Sequence, residues 1–173
     1  MRQSLRWVVM ALAVLAAAPQ AGQAQTAAAV PKQVSAHRDW SVYEVTDKRG
    51  RFCYLASEPT AQSGNYAKRD QPAALIVRLP GQSGEYLTIH PGYTYRKDSK
   101  VRVTIDGRGF DLFTDGDDAF SYDADDDALM AAMKRGSSMT VRGTSTRGTY
   151  SLDTYWLSGF TAAYDAMRGS CPS

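Results

Sequence analysis

This chain of 173 residues contains only two histidines and two cysteines. The histidines, His37 and His90, lie far apart, and neither is accompanied by a Gly-x-Ser-x-Gly nucleophile elbow. A serine hydrolase needs a histidine that is oriented by an acid and adjacent to the serine. A structural zinc site takes four cysteine or histidine ligands at close spacing. The sequence therefore predicts no catalytic residues and no cofactor, and we predict that the protein is not an enzyme.

Long apolar runs are also lacking, apart from one near the N-terminus. Residues 7–18 are apolar and follow Arg2 and Arg6, but a membrane-spanning helix needs about 20 apolar residues. The basic start, the short apolar run and the small residues after it are typical of a secretory signal peptide. We predict that residues 1–24 are removed after Ala24, or after one of two earlier alanines, and that the mature chain has no transmembrane helix. An uncleaved anchor is the other interpretation.

An excess of charge of either sign is absent once this segment is set aside. The full chain has 20 basic and 18 acidic residues, and two of the basic residues, Arg2 and Arg6, belong to the predicted signal peptide. The mature chain is therefore formally neutral. Because nucleic acids and anionic membrane surfaces attract strongly basic proteins, we predict no nucleic-acid partner.

The remaining 149 of the 173 residues have the size of one ordinary domain. Residues 25–38 are rich in alanine, glutamine and threonine, and we predict that they form a disordered leader. We predict a single folded domain over residues 39–173.

The two cysteines, Cys53 and Cys171, have only each other as partners. In an exported chain such a pair predicts one disulfide. It would close a loop of 171 − 53 = 118 positions. In the chain-entropy model a loop of this length stabilises the fold by about 4–5 kcal/mol.

Short strands separated by turns fill most of the chain. The clearest pattern is at residues 101–113, where apolar residues alternate with polar ones on both sides of Asp106-Gly107, a pair that favours a tight hairpin turn. Residues 58–71 are polar and predict a loop. The other predicted strands are residues 40–45, 51–57, 73–79, 86–89, 119–122, 139–142 and 149–157.

Two short helices are predicted near the C-terminus. Asp125 or Asp126 would cap the first, and Gly136 would end it in the left-handed conformation. The side chains predicted to be buried are Leu129, Met130 and Met133 in the first helix and Phe160, Ala163, Tyr164 and Met167 in the second. About nine strands with two late helices predict a mainly β fold, a β-sandwich with helical additions.

Aspartate is concentrated between residues 115 and 127. Calcium prefers several oxygen ligands on a flexible loop, so a cation site is conceivable here. The spacing does not match the helix–loop–helix calcium motif, and a solvated turn with helix capping explains the acids equally well. We predict no metal site, and the weak candidates for ligands are Asp115, Asp117, Asp118 and Asp123.

Arg147 lies in a glycine-flanked turn between two predicted strands. At a loop tip its guanidinium could hold a carboxylate or a phosphate, which makes this turn a possible binding loop. The alternative is that Arg147 is solvated or pairs with a neighbour such as Asp153.

Tyrosine is frequent in the predicted strands. If several tyrosines share one exposed face, they would form a protein-binding surface; if they alternate inward, they belong to the core. The sequence leaves both interpretations open for Tyr43, Tyr54, Tyr86, Tyr93, Tyr95, Tyr150 and Tyr155.

Four segments and the last cysteine form a pattern through their order and spacing: residues 107–112, 127–136, 139–149 and 157–160, with Cys171. Together they resemble the invasion-associated locus B family of Gram-negative bacteria. The resemblance implies an immunoglobulin-like β-sandwich that is exported to the periplasm or the outer-envelope surface. The family takes its name from a role in host-cell invasion, and it offers no catalytic residues to carry over. The acidic density of residues 115–127 departs from the family pattern.

These observations predict an exported, non-catalytic cell-envelope protein that acts by binding envelope or host-surface components. The first alternative is a divalent-cation-binding periplasmic protein that uses the Asp115–Asp127 region. The second alternative is a hydrolase of unrecognised type.

Overall fold

The computed structural model describes residues 29–48, 50–82 and 84–171. The predicted signal peptide, residues 1–24, lies outside this part of the chain. The strands are β1 (Lys32–His37), β2 (Trp40–Asp47), β3 (Gly50–Ser57), β4 (Ala61–Gly64), β5 (Ala73–Arg78), β6 (Tyr86–His90), β7 (Lys100–Ile105), β8 (Arg108–Asp115), β9 (Asp118–Phe120), β10 (Ser138–Thr144) and β11 (Tyr150–Trp156). The helices are α1 (Asp123–Arg135) and α2 (Phe160–Ser170).

The described strands form one antiparallel sheet in the order β1-β2-β3-β5-β6-β9-β8-β7-β10-β11-β4. This confirms the prediction of a mainly β, sandwich-like fold with two helices. Only residues 58–60 separate β3, in one half of the sheet, from β4, at its far edge. The indole Nε1 of Trp40 also donates a hydrogen bond to the carbonyl of Trp156 at 3.0 Å. The two halves of the sheet therefore face each other.

A single hydrophobic core fills the space between these halves. Leu55 and Ile76 come from one half and Val103 and Met139 from the other, and all four side chains are fully buried. Strand alternation explains this, because every second residue of a strand points to the same face. The predicted β7–β8 hairpin is confirmed, and its turn places Asp106 at φ 45° and the following glycine at φ 88°.

Two edge strands were not predicted. β1 occupies residues 32–37 of the predicted disordered leader and pairs with β2 from Lys32↔Glu44 to His37↔Trp40. β4 lies inside the predicted loop 58–71 and pairs with β11. The reason is common to both: their side chains are mostly exposed, so they lack alternating burial, and backbone hydrogen bonds to one neighbour hold them in place.

The buried sides of the two helices agree with the prediction, but the ends of α1 do not. α1 begins at Asp123, two residues before the first predicted cap, and Tyr122 at its N-cap makes no side-chain capping bond. Gly136 is extended, with φ −77°, so it is not a left-handed stop. A Cβ at this position would lie 2.6 Å from Cγ2 of Ile105. Close packing against β7 therefore requires this glycine.

The predicted disulfide joins Cys53 of β3 to Cys171, which directly follows α2, with a Cα–Cα distance of 5.9 Å. Both cysteines are buried. α2 packs on β1, β2 and β3 through Phe160, Ala163, Tyr164 and Met167, all buried as predicted. The covalent bond thus fixes the C-terminal end of α2 to β3, one of the three strands on which the helix packs.

Candidate functional site

An open groove of about 720 Å³ lies between the β5–β6 connection, the end of β8 and the start of α1. We call it the aromatic–acidic groove. The residues that define it are Tyr86, Phe113, Phe120, Asp123, Asp126 and Asp127.

Aromatic rings line one wall of this groove. Phe113 and Phe120 are cross-strand partners in β8 and β9, with ring centroids 5.6 Å apart. The ring of Tyr122 lies 5.2 Å from that of Phe113, outside the lining but adjoining it. Phe113 is 40% exposed and Tyr122 39% exposed, so both present large ring surfaces to solvent. The folded chain therefore leaves part of an aromatic cluster uncovered.

Carboxylates from the first turns of α1 form the opposite wall. Burial raises the pKa of Asp126; the hydroxyl of Ser121, which donates a hydrogen bond to this carboxylate, opposes the shift, and the neighbouring α1 carboxylates add to it. Asp123 and Asp127 also line the groove. No lysine or arginine is among the described lining residues, so the groove is acidic.

Glu85 closes the inner end of the groove as a buried acid. It forms an ion pair with Arg78, and the hydroxyl of Tyr164 donates a hydrogen bond to it at 2.7 Å. Nε of Arg168 lies 3.8 Å from the same carboxylate, so the charge of Glu85 is compensated within the fold. Glu85 therefore fixes α2 against the sheet rather than adding free charge to the groove.

The structure does not bring the four predicted metal-ligand candidates together. Asp115 and Asp118 are cross-strand partners at the β8–β9 turn, and Asp117 lies in that turn. Asp123 belongs instead to α1 and the groove. In the described residues, the one group of three possible donors within 4.8 Å is Glu44 with the two disulfide cysteines, whose thiols are already bonded.

Nδ1 of His90 lies within hydrogen-bonding distance of Oδ1 of Asp118, at 3.1 Å. Both side chains are about two-fifths exposed, at 41% and 40%. Within the described chain, no serine or cysteine side chain hydrogen-bonds to this imidazole, and His90 lines neither of the two cavities described here. Among the described residues the pair therefore has no hydrogen-bonded serine or cysteine of the kind that a nucleophile–histidine–acid triad contains. His37 lies in β1, where its Nε2 is 3.0 Å from the hydroxyl of Ser35.

A second cavity, of about 450 Å³, lies between residues 66–70, residues 92–94 and the β10–β11 turn. We call it the basic pocket, since Lys68, Arg69 and Arg147 line it against one acid, Asp70. Backbone hydrogen bonds hold its walls together: the Asp70 N–H donates to the carbonyl of Gly92, and the Thr146 N–H to that of Thr94, each at 3.0 Å.

Arg69 and Asp153 form a buried ion pair beside this pocket. Nη1 of Arg69 donates to Oδ2 of Asp153 at 2.8 Å and to the carbonyl of Pro91 at 3.0 Å, and Nη2 bonds the second carboxylate oxygen. The predicted alternative of an Arg147–Asp153 pair is thus wrong, because Arg69 already occupies this carboxylate. Arg147 is exposed at the rim, where it lines the pocket.

The tyrosines divide between core and surface. Tyr95 and Tyr155 are buried, and burial raises the pKa of both hydroxyls far above the ordinary value. Tyr43 and Tyr54 stack at 5.1 Å on the outer face of β2 and β3. The hydroxyls of Tyr93 and Ser151 are hydrogen-bonded to each other at 2.8 Å, beside the basic pocket. No single tyrosine face therefore forms the exposed patch, which Phe113 and Tyr122 provide instead.

A family model described as invasion associated locus B protein matches residues 40–168. No curated protein matches the chain. No solved structure matches it either. Within the described residues, neither helix has the length and apolar character that crossing a membrane would require.

Proposed function

Because this chain belongs to the invasion associated locus B family, we propose that it is an exported, non-catalytic cell-envelope protein that binds other proteins through the aromatic–acidic groove. The family is not known as a family of enzymes. Family membership and the Cys53–Cys171 disulfide both indicate an extracytoplasmic protein. Within that setting we place it in the periplasm or at the outer-envelope surface, where its partners are envelope or host-surface components.

The observation that carries this proposal is the exposed ring pair of Phe113 and Tyr122 beside a wall of carboxylates. Aromatic side chains contribute large apolar areas to interfaces at a low cost in conformational entropy. An exposed cluster of them on a soluble domain is typical of a surface that a partner covers.

Charge complementarity defines the partner. A segment that carries lysine or arginine next to an apolar side chain can place the cation against Asp123 and Asp127 and the apolar group against Phe113. A cation within about 6 Å of an aromatic ring also gains a cation–π interaction. We therefore propose that the groove binds a basic, partly apolar segment of another envelope or host-surface protein.

Two labelled peptides of matched length test this proposal, one alternating lysine with leucine and the other alternating glutamate with leucine. Fluorescence anisotropy at low salt should show binding of the lysine peptide alone, and added salt should weaken it. Phe113→Ser should weaken binding about tenfold or more, because an anchoring aromatic commonly contributes over 1–2 kcal/mol. Val34→Ser is the control, since Val34 is 42% exposed in β1, outside the groove.

Equal binding of the two peptides, or equal loss in Phe113→Ser and Val34→Ser, would reject the groove as the binding site. A photo-crosslinking residue at position 122 then identifies the natural partner in the envelope. A captured protein counts only if Phe113→Ser abolishes its capture and if its crosslinked segment is basic.

A further inference from the structure

The basic pocket shares no described lining residue with the aromatic–acidic groove, so its chemistry is independent of the proposed function. Three segments that are distant in sequence meet there: residues 66–70, residues 92–94 and the turn around Arg147. Its volume of about 450 Å³ is in the range of small-molecule sites, which span roughly 300–1,000 Å³.

Two cations at this pocket have no acidic partner in the described chain. Lys68 and Arg147 are exposed at its rim, and neither forms a salt bridge with any described carboxylate. Asp153, the strongest local competitor for them, is held by Arg69 with side-chain exposures of 1% and 3%. The rim therefore presents positive charge that the protein itself does not neutralise, apart from Asp70.

The side chains between these cations are polar. Both terminal nitrogens of Arg69 are bonded within the fold, but its buried Nε–H has no hydrogen-bond acceptor in the described structure. Thr94 and Thr149 add hydroxyl groups to the lining, and Tyr66 adds a ring on which Arg69 stacks at 4.7 Å. Hydroxyls and an aromatic ring beside cations suit a ligand that has both hydroxyls and one acidic group.

We propose that the basic pocket binds an acidic sugar, with Arg147 and Lys68 as the direct ligands of its phosphate or carboxylate group. Arg147 offers the planar donor pair that fits either group, and Lys68 offers a point charge. Arg69 and Asp153 act as positioning residues that hold the 66–70 segment against β11. Thr94 and Thr149 line the same pocket, and the hydroxyl of Thr149 is hydrogen-bonded to that of Ser145 at 2.7 Å, so the lining beside the cations is polar.

A change at Asp70 should alter the affinity for an acidic sugar in the opposite direction from changes at Lys68 and Arg147. Its carboxylate lines the same pocket and repels a bound anion. Asp70→Asn should therefore tighten binding, whereas Arg147→Gln and Lys68→Gln should each weaken it by about tenfold, the effect of one charge-assisted hydrogen bond. A gain in affinity cannot arise from misfolding, so this variant keeps the proposal falsifiable even if the others are destabilised.

Isothermal titration calorimetry with the oxidised full-length mature chain tests the proposal. Glucose 6-phosphate tests recognition of a phosphate group, and glucuronate tests recognition of a carboxylate. Glucose carries neither group and is the neutral control. Binding of at least one acidic sugar, no binding of glucose, and weaker binding at high salt are the expected results. Arg108→Gln is the matched control, because Arg108 is an exposed cation on the β7–β8 hairpin outside the pocket.

Three results would overturn the proposal. The first is equal affinity for glucose and for both acidic sugars. The second is an equal loss in Arg108→Gln and Arg147→Gln, which would indicate diffuse surface charge. The third is binding to phosphatidylglycerol vesicles without binding to either sugar, which would assign the cations to a membrane surface.

Discussion

Arg69 and Asp153 lie 84 positions apart in sequence and form a buried, two-point ion pair that joins the segment before β5 to β11. Their side chains are only 3% and 1% exposed. A charge at this depth is stable only while its partner is present, because water cannot compensate it. The pair therefore links the segment that lines the basic pocket to β11, the strand next to the sheet edge.

Removal of one member of this pair should be strongly destabilising. We expect Asp153→Ala to lower the free energy of unfolding by about 3–5 kcal/mol, since it leaves the Arg69 charge buried and unpaired. Urea denaturation followed by circular dichroism measures the change. The exposed pair Arg102–Asp111 is the control, and Asp111→Ala should cost less than about 1 kcal/mol. Equal costs for the two variants would contradict the argument.

The disulfide should contribute comparably to global stability. Replacement of Cys53 and Cys171 by alanine should lower the free energy of unfolding by about 2–5 kcal/mol, because the long loop is released in the unfolded state. Urea denaturation of oxidised wild type and the double variant gives the value. Non-reducing mass spectrometry should find the exported chain lighter by two hydrogens than its reduced form. Two free thiols in normally exported protein would refute the bond.

Asp126 should make stability depend on pH. Its pKa in the folded state is raised by burial above that of an unfolded aspartate, about 3.9. Between these two pKa values the folded state binds more protons than the unfolded state, so the free energy of unfolding falls as pH rises. Asp126→Asn removes this titration and keeps an oxygen for Ser121. The stability of the variant relative to wild type should therefore rise through this window and stay constant above it.

The pKa of Asp111 is shifted in the opposite direction from that of Asp126, so Asp111 serves as the comparison. The hydrogen bond from Arg102 lowers its pKa, so its contribution is present above the unfolded pKa and is lost as pH falls through the folded pKa. Urea denaturation from acid to neutral pH should thus give opposite slopes for Asp126→Asn and Asp111→Asn, each relative to wild type. Parallel slopes would show that the environment of Asp126 is not as described.

Two glycines should respond oppositely to alanine. Gly136→Ala places a Cβ 2.6 Å from Cγ2 of Ile105 and 2.9 Å from Cδ1 of Leu157, and we expect a loss of about 1–3 kcal/mol from overpacking. Gly169 lies in α2 with open space around its Cα, so Gly169→Ala should stabilise by about 0.5–1 kcal/mol. Thermal unfolding of both variants checks this. A neutral Gly136→Ala would indicate that α1 can shift away from β7.

Alternation and turn chemistry predict the strands that contribute to the core. Val101, Val103 and Ile105 are buried as their spacing requires, and Asp106 makes the predicted reversal. The edge strands β1 and β4 cannot be predicted from alternating burial, because backbone pairing rather than buried side chains holds them in place. Helix-end rules also failed at Gly136, where close packing rather than backbone conformation requires glycine.

The sites were harder to predict, because each combines segments that are distant in sequence. The sequence singles out Arg147, but its neighbours in the pocket, Lys68 and Arg69, lie in a segment that is recognisable only as a polar loop. Alternation in β11 separates Asp153 from Leu152, but it does not indicate that the aspartate is the buried one of the two or which cation reaches it. Phe113 follows Leu112 and therefore lies on the same face of β8 as Asp111, but only the register with β9 shows that its ring meets that of Phe120.

The Cys53–Cys171 disulfide also allows a chemical test of whether a given molecule extends to the end of α2. Any product that stops before Cys171 leaves Cys53 without its partner, whatever else has folded. Such a fragment keeps a free sulfhydryl that reacts with maleimide after unfolding, whereas the finished protein does not. Thiol labelling therefore distinguishes truncated molecules from whole ones without an antibody or an activity assay.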